Sequence, residues 1–194
     1  VTSMVVVGSR LFSGSTDCTI RVWDLSSGQC GFVAQAHTGP VMSLLLWEGC
    51  ILSCSLDGTV RVWSGLDAPH LACAYTHVPE DPSSRAGAGG GAFGAPAGAP
   101  KSSPFGGALA MCGMANLENP PTPILAVAFK DCTIRLYALP TFEERGVLGG
   151  KYDTRALCAG PNGLFFSGDN MGLVKVWSWK QPEPAAAAAG GSVF

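Results

Sequence analysis

The amino-acid sequence predicts an all-β chain made of one short-strand unit used four times, and three observations carry that prediction. Large aromatic residues recur at Trp23, Trp63, Tyr137 and Trp177, with 40 residues between the first two, 40 between the last two and 74 across the middle. Self-similarity at such a period marks stacked structural repeats. The runs that lead to each aromatic residue alternate apolar and polar side chains, which is the period of a strand. Turns containing Asp or Gly separate the runs, as antiparallel hairpins require.

The stretch His37 to Gly65 shows the unit most clearly. Val41 to Trp47 alternates, Cys50 to Ser55 is a second strand-like run, Leu56-Asp57-Gly58 is a turn, and Thr59 to Trp63 is a third run. The pattern repeats in Arg10 to Leu25, Leu125 to Leu139 and Leu164 to Trp179. Two residues before each aromatic anchor stands a cation: Arg21, Arg61, Arg135 or Lys175. Six residues before it stands an acid in three copies, Asp17, Asp57 and Asp131, and Met171 takes that place in the fourth. An Asp that opens a turn accepts hydrogen bonds from the backbone it bends. Alternation places Ile20 and Val22 on one face and Arg21 and Trp23 on the other, so both faces of each sheet are expected to be covered.

The long middle gap comes from a block rich in Gly, Ala and Pro. Residues 1–77 are expected to hold two repeats, 78–107 a disordered insert, 108–179 two further repeats and 180–194 a frayed tail. The insert has almost no β-branched residues and cannot bury enough apolar surface to offset its ordering entropy. Gly89, Gly91 and Gly94 satisfy G-x-G-x-x-G there, but no strand precedes them and no helix follows, so a dinucleotide site is not expected. Ser102-Ser103-Pro104 offers a possible phosphorylation site in a mobile loop.

These copies resemble the WD40 repeat family over Val1 to Cys73 and Ala108 to Trp179. The resemblance implies a β-propeller: four-stranded sheets, or blades, arranged radially and buried against one another, so that no repeat is stable alone. It also implies a hydrogen-bonded tetrad within a blade, formed by a His, a Ser or Thr, the turn Asp and the Trp. Only the second copy offers the full set, His37, Ser53 or Ser55, Asp57 and Trp63, so that blade is expected to be the most rigid. Leu139 to Gly146 and Leu164-Phe165-Phe166-x-Gly168-Asp169 look more specifically like the C-terminal propeller of plant and green-algal proteins that join a CCCH zinc finger to WD40 repeats. The chain begins at Val1 inside a strand-like run, with no initiator Met and no charged-then-apolar leader, which suggests a propeller segment of about four blades within a larger ring of about seven.

Catalytic chemistry is hard to build from these residues. There are three His, of which His37 already has a structural task and His70 and His77 are expected to be solvated beside the insert. Glu143-Glu144-Arg145 reads as an exposed turn after Pro140 and not as a carboxylate dyad. No nucleophile elbow, Walker loop or zincin helix is present. Cys50 and Cys54 lie four residues apart on one strand, roughly 13 Å, too far for two sulfurs bound to one zinc. The eight cysteines are therefore read as buried, reduced thiols in an intracellular protein, nuclear or cytoplasmic. No catalytic residue, metal or cofactor is assigned.

Net charge of −2 gives no global pull toward nucleic acid or anionic membrane, and no apolar run is long enough to cross a bilayer. The cations at Arg21, Arg61, Arg135 and Lys175 are spread one per blade, where long side chains lay their stems over the aromatic ring and carry the charge outward. Nucleic-acid contact is thus left to a zinc finger outside this segment. The expected function is a non-enzymatic scaffold that binds other proteins through turn residues Thr16, Leu56, Lys130 and Asn170, each seven residues before its anchor. The alternative is the receptor or adaptor propeller of a ubiquitin ligase or another multiprotein complex.

Overall fold

In the computed structural model, residues 1–68, 70–80, 103–115 and 122–178 are described. The central part of the expected insert, with its glycine motif and Ser102, and the expected tail lie outside the described residues. Alternating sequence becomes antiparallel sheet throughout. β1 (Ser3–Val7), β2 (Arg10–Gly14), β3 (Thr19–Asp24) and β4 (Cys30–Gln35) form the first sheet. β5 (Val41–Trp47), β6 (Cys50–Ser55), β7 (Val60–Ser64) and β8 (Ala72–His77) form the second. The third comprises β9 (Ala108–Ala115), β10 (Pro123–Phe129), β11 (Thr133–Ala138) and β12 (Glu143–Gly149). Among the described residues the fourth has three strands, β13 (Thr154–Ala159), β14 (Leu164–Asp169) and β15 (Val174–Ser178).

Each sheet meanders in sequence order, and tight turns set its register. Glu48-Gly49 and Asn162-Gly163 have positive φ at both residues, the mirror-image turn that matches strand twist; the first is a two-residue hairpin loop and the second closes the four-residue connection from β13 to β14. A second left-handed position recurs five residues before every aromatic anchor: Cys18 (φ 69), Gly58 (φ 82), Cys132 (φ 64) and Gly172 (φ 86). Glycine suits it at no steric cost, and cysteine holds it in two copies against its own preference.

The inner strands stand in the order β1, β5, β9, β13, each packed on the next. Between successive sheets lie three apolar cores. The first joins Phe12, Ile20 and Val22 to Val41, Ile51 and Trp63. The second joins Leu52, Cys54 and Val60 to Leu125, Val127, Phe129 and Tyr137. The third joins Ile124, Ala126, Ala128 and Ile134 to Phe165 and Trp177. β10 shows the logic of the period: its odd residues face the second sheet and its even residues the fourth, and Ile124 to Phe129 are all fully buried. Both faces of the two middle sheets are covered, whereas Met4 and Val6 on β1 and Val174 and Val176 on β15 remain exposed.

Several sequence expectations change here. Glu143-Glu144-Arg145 is not a turn but the start of β12, paired with β11. Ser103–Gly107, the last residues of the expected disordered insert, are seated on the molecule: Ser103 is buried, Phe105 meets Phe129 edge-on at 6.1 Å, and Lys130 N donates to Gly107 O at 3.0 Å. Phe105 gives this end of the block something to bury. His77 is half-buried against Tyr137 and Phe142, not solvated. Of the cysteines, all free, only Cys54 and Cys112 are buried, and Cys30, Cys73 and Cys158 are exposed.

Candidate functional site

The polar residues singled out in the second repeat converge at one end of its sheet. Trp63 Nε1 donates to Ser53 Oγ at 2.8 Å, and Ser53 Oγ lies 2.7 Å from His37 Nε2. His37 Nδ1 stands 2.9 Å from Asp57 Oδ2. With the imidazole protonated at Nδ1, every donor faces an acceptor: indole to hydroxyl, hydroxyl to imidazole, imidazole to carboxylate. The other Asp57 oxygen accepts from Thr59 N at 2.9 Å and Thr59 Oγ1 at 2.7 Å, while Thr38 N donates to Oδ2 at 3.0 Å. Only 7% of the Asp57 side chain and none of the His37 side chain is exposed. Burial works to raise the Asp57 carboxyl, yet hydrogen bonds from His37 and Thr59 and the electrostatic pull of His37 outweigh it, so the group titrates well below its ordinary value. Ser55 does not join this relay. Its hydroxyl donates to Gly39 O at 2.9 Å and accepts from Asp57 N, fixing the turn instead.

The other three copies keep parts of the arrangement. Trp23 donates to Ser13 and Trp177 to Ser167, each at 2.8 Å, ten residues upstream as Ser53 is from Trp63. Asp17 accepts from Thr19 and Arg21, and these bonds hold its carboxyl down at about 2. Asp131 accepts from Thr133 in the same way. In the third copy Val127 stands where the Ser would be, and the Tyr137 hydroxyl is buried with no hydrogen-bond partner among the described residues. The fourth copy keeps a turn acid that spacing concealed: Asp169, two residues before Met171, accepts from Met171 N at 3.0 Å and Leu173 N at 2.9 Å.

The cations do not all turn outward. Arg21 pairs with Asp17 at the surface, and Lys175 Nζ sits 5.8 Å over Trp177. Arg135 is buried: its guanidinium lies 3.3 Å from the centre of the Phe105 ring and donates to Glu144 at 2.7 Å. That pairing is what lets the charge be desolvated.

Thr16, Leu56, Lys130 and Asn170 occupy the turns at the same end of the sheets. Backbone bonds tie each turn to an adjoining segment: Ala36 and His37 donate to Cys18, Leu56 to Pro40, Lys130 to Gly107, Gly150 to Cys132, and Asn170 to Asp153. Thr16, Lys130 and Asn170 are exposed, whereas Leu56 is half-buried against Gly107. A cavity of about 360 Å³ opens beside Leu56, between Pro40 and Ser103. The buried thiols add no nucleophile, since burial pushes Cys54 and Cys112 up to about 12. Among the described residues, no group of three or more His, Cys, Asp or Glu could hold a metal ion, and no helix is long and apolar enough to cross a membrane.

Neighbouring antiparallel meanders, three of them four-stranded among the described residues, with an aromatic anchor in register in each and a turn Asp in register in three, define a propeller of WD type. Residues 1–24 and 28–64 match the family described as WD domain, G-beta repeat, so the first two sheets are WD repeats. It is 41% identical over 92% of its length to Zinc finger CCCH domain-containing protein 17 of Oryza sativa subsp. japonica. It is 35% identical over 92% of its length to Zinc finger CCCH domain-containing protein 59 of Arabidopsis thaliana. The chain spans about a third of the length of these relatives, 35% and 32%. A computationally designed protein, Ika4, shares the fold with a TM-score of 0.62 at 23% identity, over 92% of this chain and 91% of that one. WD40 repeats indicate a protein-interaction scaffold.

Proposed function

We propose that this chain is a non-enzymatic scaffold whose partner protein docks on the turn end of the sheets, through Thr16, Lys130 and Asn170 with Leu56 at the edge of the adjoining cavity. The observation that carries this is a division of labour. At each turn the acid, Asp17, Asp57, Asp131 or Asp169, is spent on the turn's own backbone, while three of the four adjoining positions present their side chains to solvent. Exposed residues that differ from repeat to repeat, as Thr16, Lys130 and Asn170 do, suit recognition. Thr16→Ala, Lys130→Glu and Asn170→Ala together should abolish capture of a partner while the melting temperature stays unchanged. Unchanged capture, or a loss that follows melting, would remove the reading.

The two exposed outer faces support a further part of the proposal: Met4 and Val6 on one side and Val174 and Val176 on the other are covered by additional sheets in a ring of about seven. Recovery of this chain alone as a stable, closed monomer by calorimetry and scattering would contradict that. The relatives' names support placing the scaffold beside a CCCH zinc finger, to which nucleic-acid contact is assigned. An intracellular setting, nuclear or cytoplasmic, fits eight free thiols.

A further inference from the structure

The three wedges between neighbouring sheets differ at their outer edges. Between the first and second sheets, Arg10 donates to Leu66 O at 2.8 Å and Ala68 O at 2.6 Å, and Phe32 lies against His70 at 5.1 Å, closing the gap. Between the third and fourth, a cavity of only about 10 Å³ remains against Ile134 and Trp177. Between the second and third, a cavity of about 730 Å³ opens between β8 and the β11–β12 hairpin. That volume lies in the range of functional ligand sites.

The wall of this cleft is aromatic. Tyr75, 48% exposed, stands 5.3 Å from Phe142, which stacks on His77 at 4.8 Å, with Tyr137 behind at 4.7 Å from His77. Glu80, Glu143 and Glu144 line it too; Glu144 is bonded to the buried Arg135 at 2.7 Å and the exposed Glu143 lies 3.8 Å from Arg145, and no Lys or Arg lines the hollow itself among the described residues. Tyr137 is 2% exposed, and its hydroxyl and His77 Nε2 are both buried with no hydrogen-bond partner among the described residues. Burial holds His77 down at about 4, so the imidazole adds no positive charge near neutral pH. On the other side of Tyr75 and Phe142 a second cavity of about 290 Å³ is lined by Trp47, Leu52, Val62 and Leu139. One aromatic pair therefore separates an acidic hollow from an apolar one.

We propose that this double cleft is a second docking site, taking a Lys or Arg side chain of a partner's peptide segment in the acidic hollow and a neighbouring aliphatic or aromatic side chain in the apolar one. A cation there meets ring faces and carboxylates together, the pairing that holds organic cations in partly desolvated sites. The proposal rests on the protein-binding reading but not on the turn-end site. The test is selection of random nonapeptides displayed on phage against the full chain, followed by fluorescence anisotropy of the enriched peptides. Enriched sequences should pair a basic residue with a nearby apolar one. Glu143→Lys, at a side chain 65% exposed, should weaken them about tenfold, and Tyr75→Ala about fivefold. Thr16→Ala with Lys130→Glu should leave them unchanged. Acidic or uncharged consensus peptides, no enrichment, or affinity indifferent to Glu143→Lys would overturn the cleft site. Peptides lost with Lys130→Glu alone would overturn it while leaving the turn-end reading in place.

Discussion

The second and third sheets are equally enclosed but held in different ways. Each has a neighbour on both faces, and each centres on a strand with almost no exposed surface, β6 in one and β10 in the other. In the second, the space beneath the aromatic anchor is filled by the polar relay Trp63, Ser53, His37 and Asp57. In the third, Val127 and Tyr137 fill it with apolar surface, and the hydroxyl that replaces the indole donor bonds to nothing among the described residues. The third sheet instead pairs a buried charge elsewhere, with Arg135 between Phe105 and Glu144, while Arg135 Nε has no partner among the described residues. Burial is thus decided by having sheets on both sides. The relay has a narrower job: it ties the loop carrying His37 to the turn carrying Asp57.

The largest effect that separates the two sheets is expected from Asp57→Ala. It leaves His37, Thr38 and Thr59 donors without their acceptor and should cost about 1 to 3 kcal/mol, while Asp131→Ala at the exposed counterpart costs less than half as much. Paired denaturant melts check this, and equal losses would break the comparison. The same residue sets a pH signature. Because the folded carboxyl is depressed, its stabilisation is complete above the ordinary value of 3.8 and is lost as pH falls below that toward the native value. Melts between pH 5 and pH 2 should therefore show a steeper acid loss in the natural chain than in Asp57→Asn.

A smaller effect sharpens the view of the fourth sheet. Asp169→Ala should cost about 1 kcal/mol by freeing two turn amides, whereas Met171→Asp, which restores the repeat spacing, should change stability little because the amides are already taken. A clear gain from Met171→Asp would mean that Asp169 is a poor substitute. The smallest is Tyr137→Phe, expected to be neutral or stabilising by about 1 kcal/mol, since it removes a buried hydroxyl that lacks a partner among the described residues. The matching Trp63→Phe should be clearly destabilising, and thermal melts of the pair suffice to compare them.

Much of the fold could be read from the sequence because its signals are local. Alternation and turn residues located β5 and β6 to the residue, and the 40-residue spacing aligned the anchors. Residues whose state depends on distant partners were misread. Glu143 and Glu144 carry no strand signal of their own and become strand because β11 offers an edge and Arg135 a charge. Phe105 gave no hint that Phe129 and Arg135 would receive it, and His77 none that Phe142 would stack on it. Ser13, Ser53 and Ser167 were legible in principle, always ten residues before an indole, while Val127 coincides with the one Tyr. That spacing would have separated Ser53 from Ser55. Asp169 was missed because a fixed offset was required of a turn that tolerates an acid two residues earlier.

The claim that the relay, and not burial alone, secures the second repeat is tested most directly at the Trp63 indole. Hydrogen exchange of the indole N–H groups, followed by NMR on chains labelled with ¹⁵N-tryptophan, resolves Trp23, Trp63 and Trp177, which all donate to a serine at 2.8 Å. Trp63 should exchange slowest, and Asp57→Ala should accelerate it selectively while Trp23 and Trp177 keep their rates. An unchanged Trp63 rate in Asp57→Ala, or equal acceleration of all three, would contradict the account.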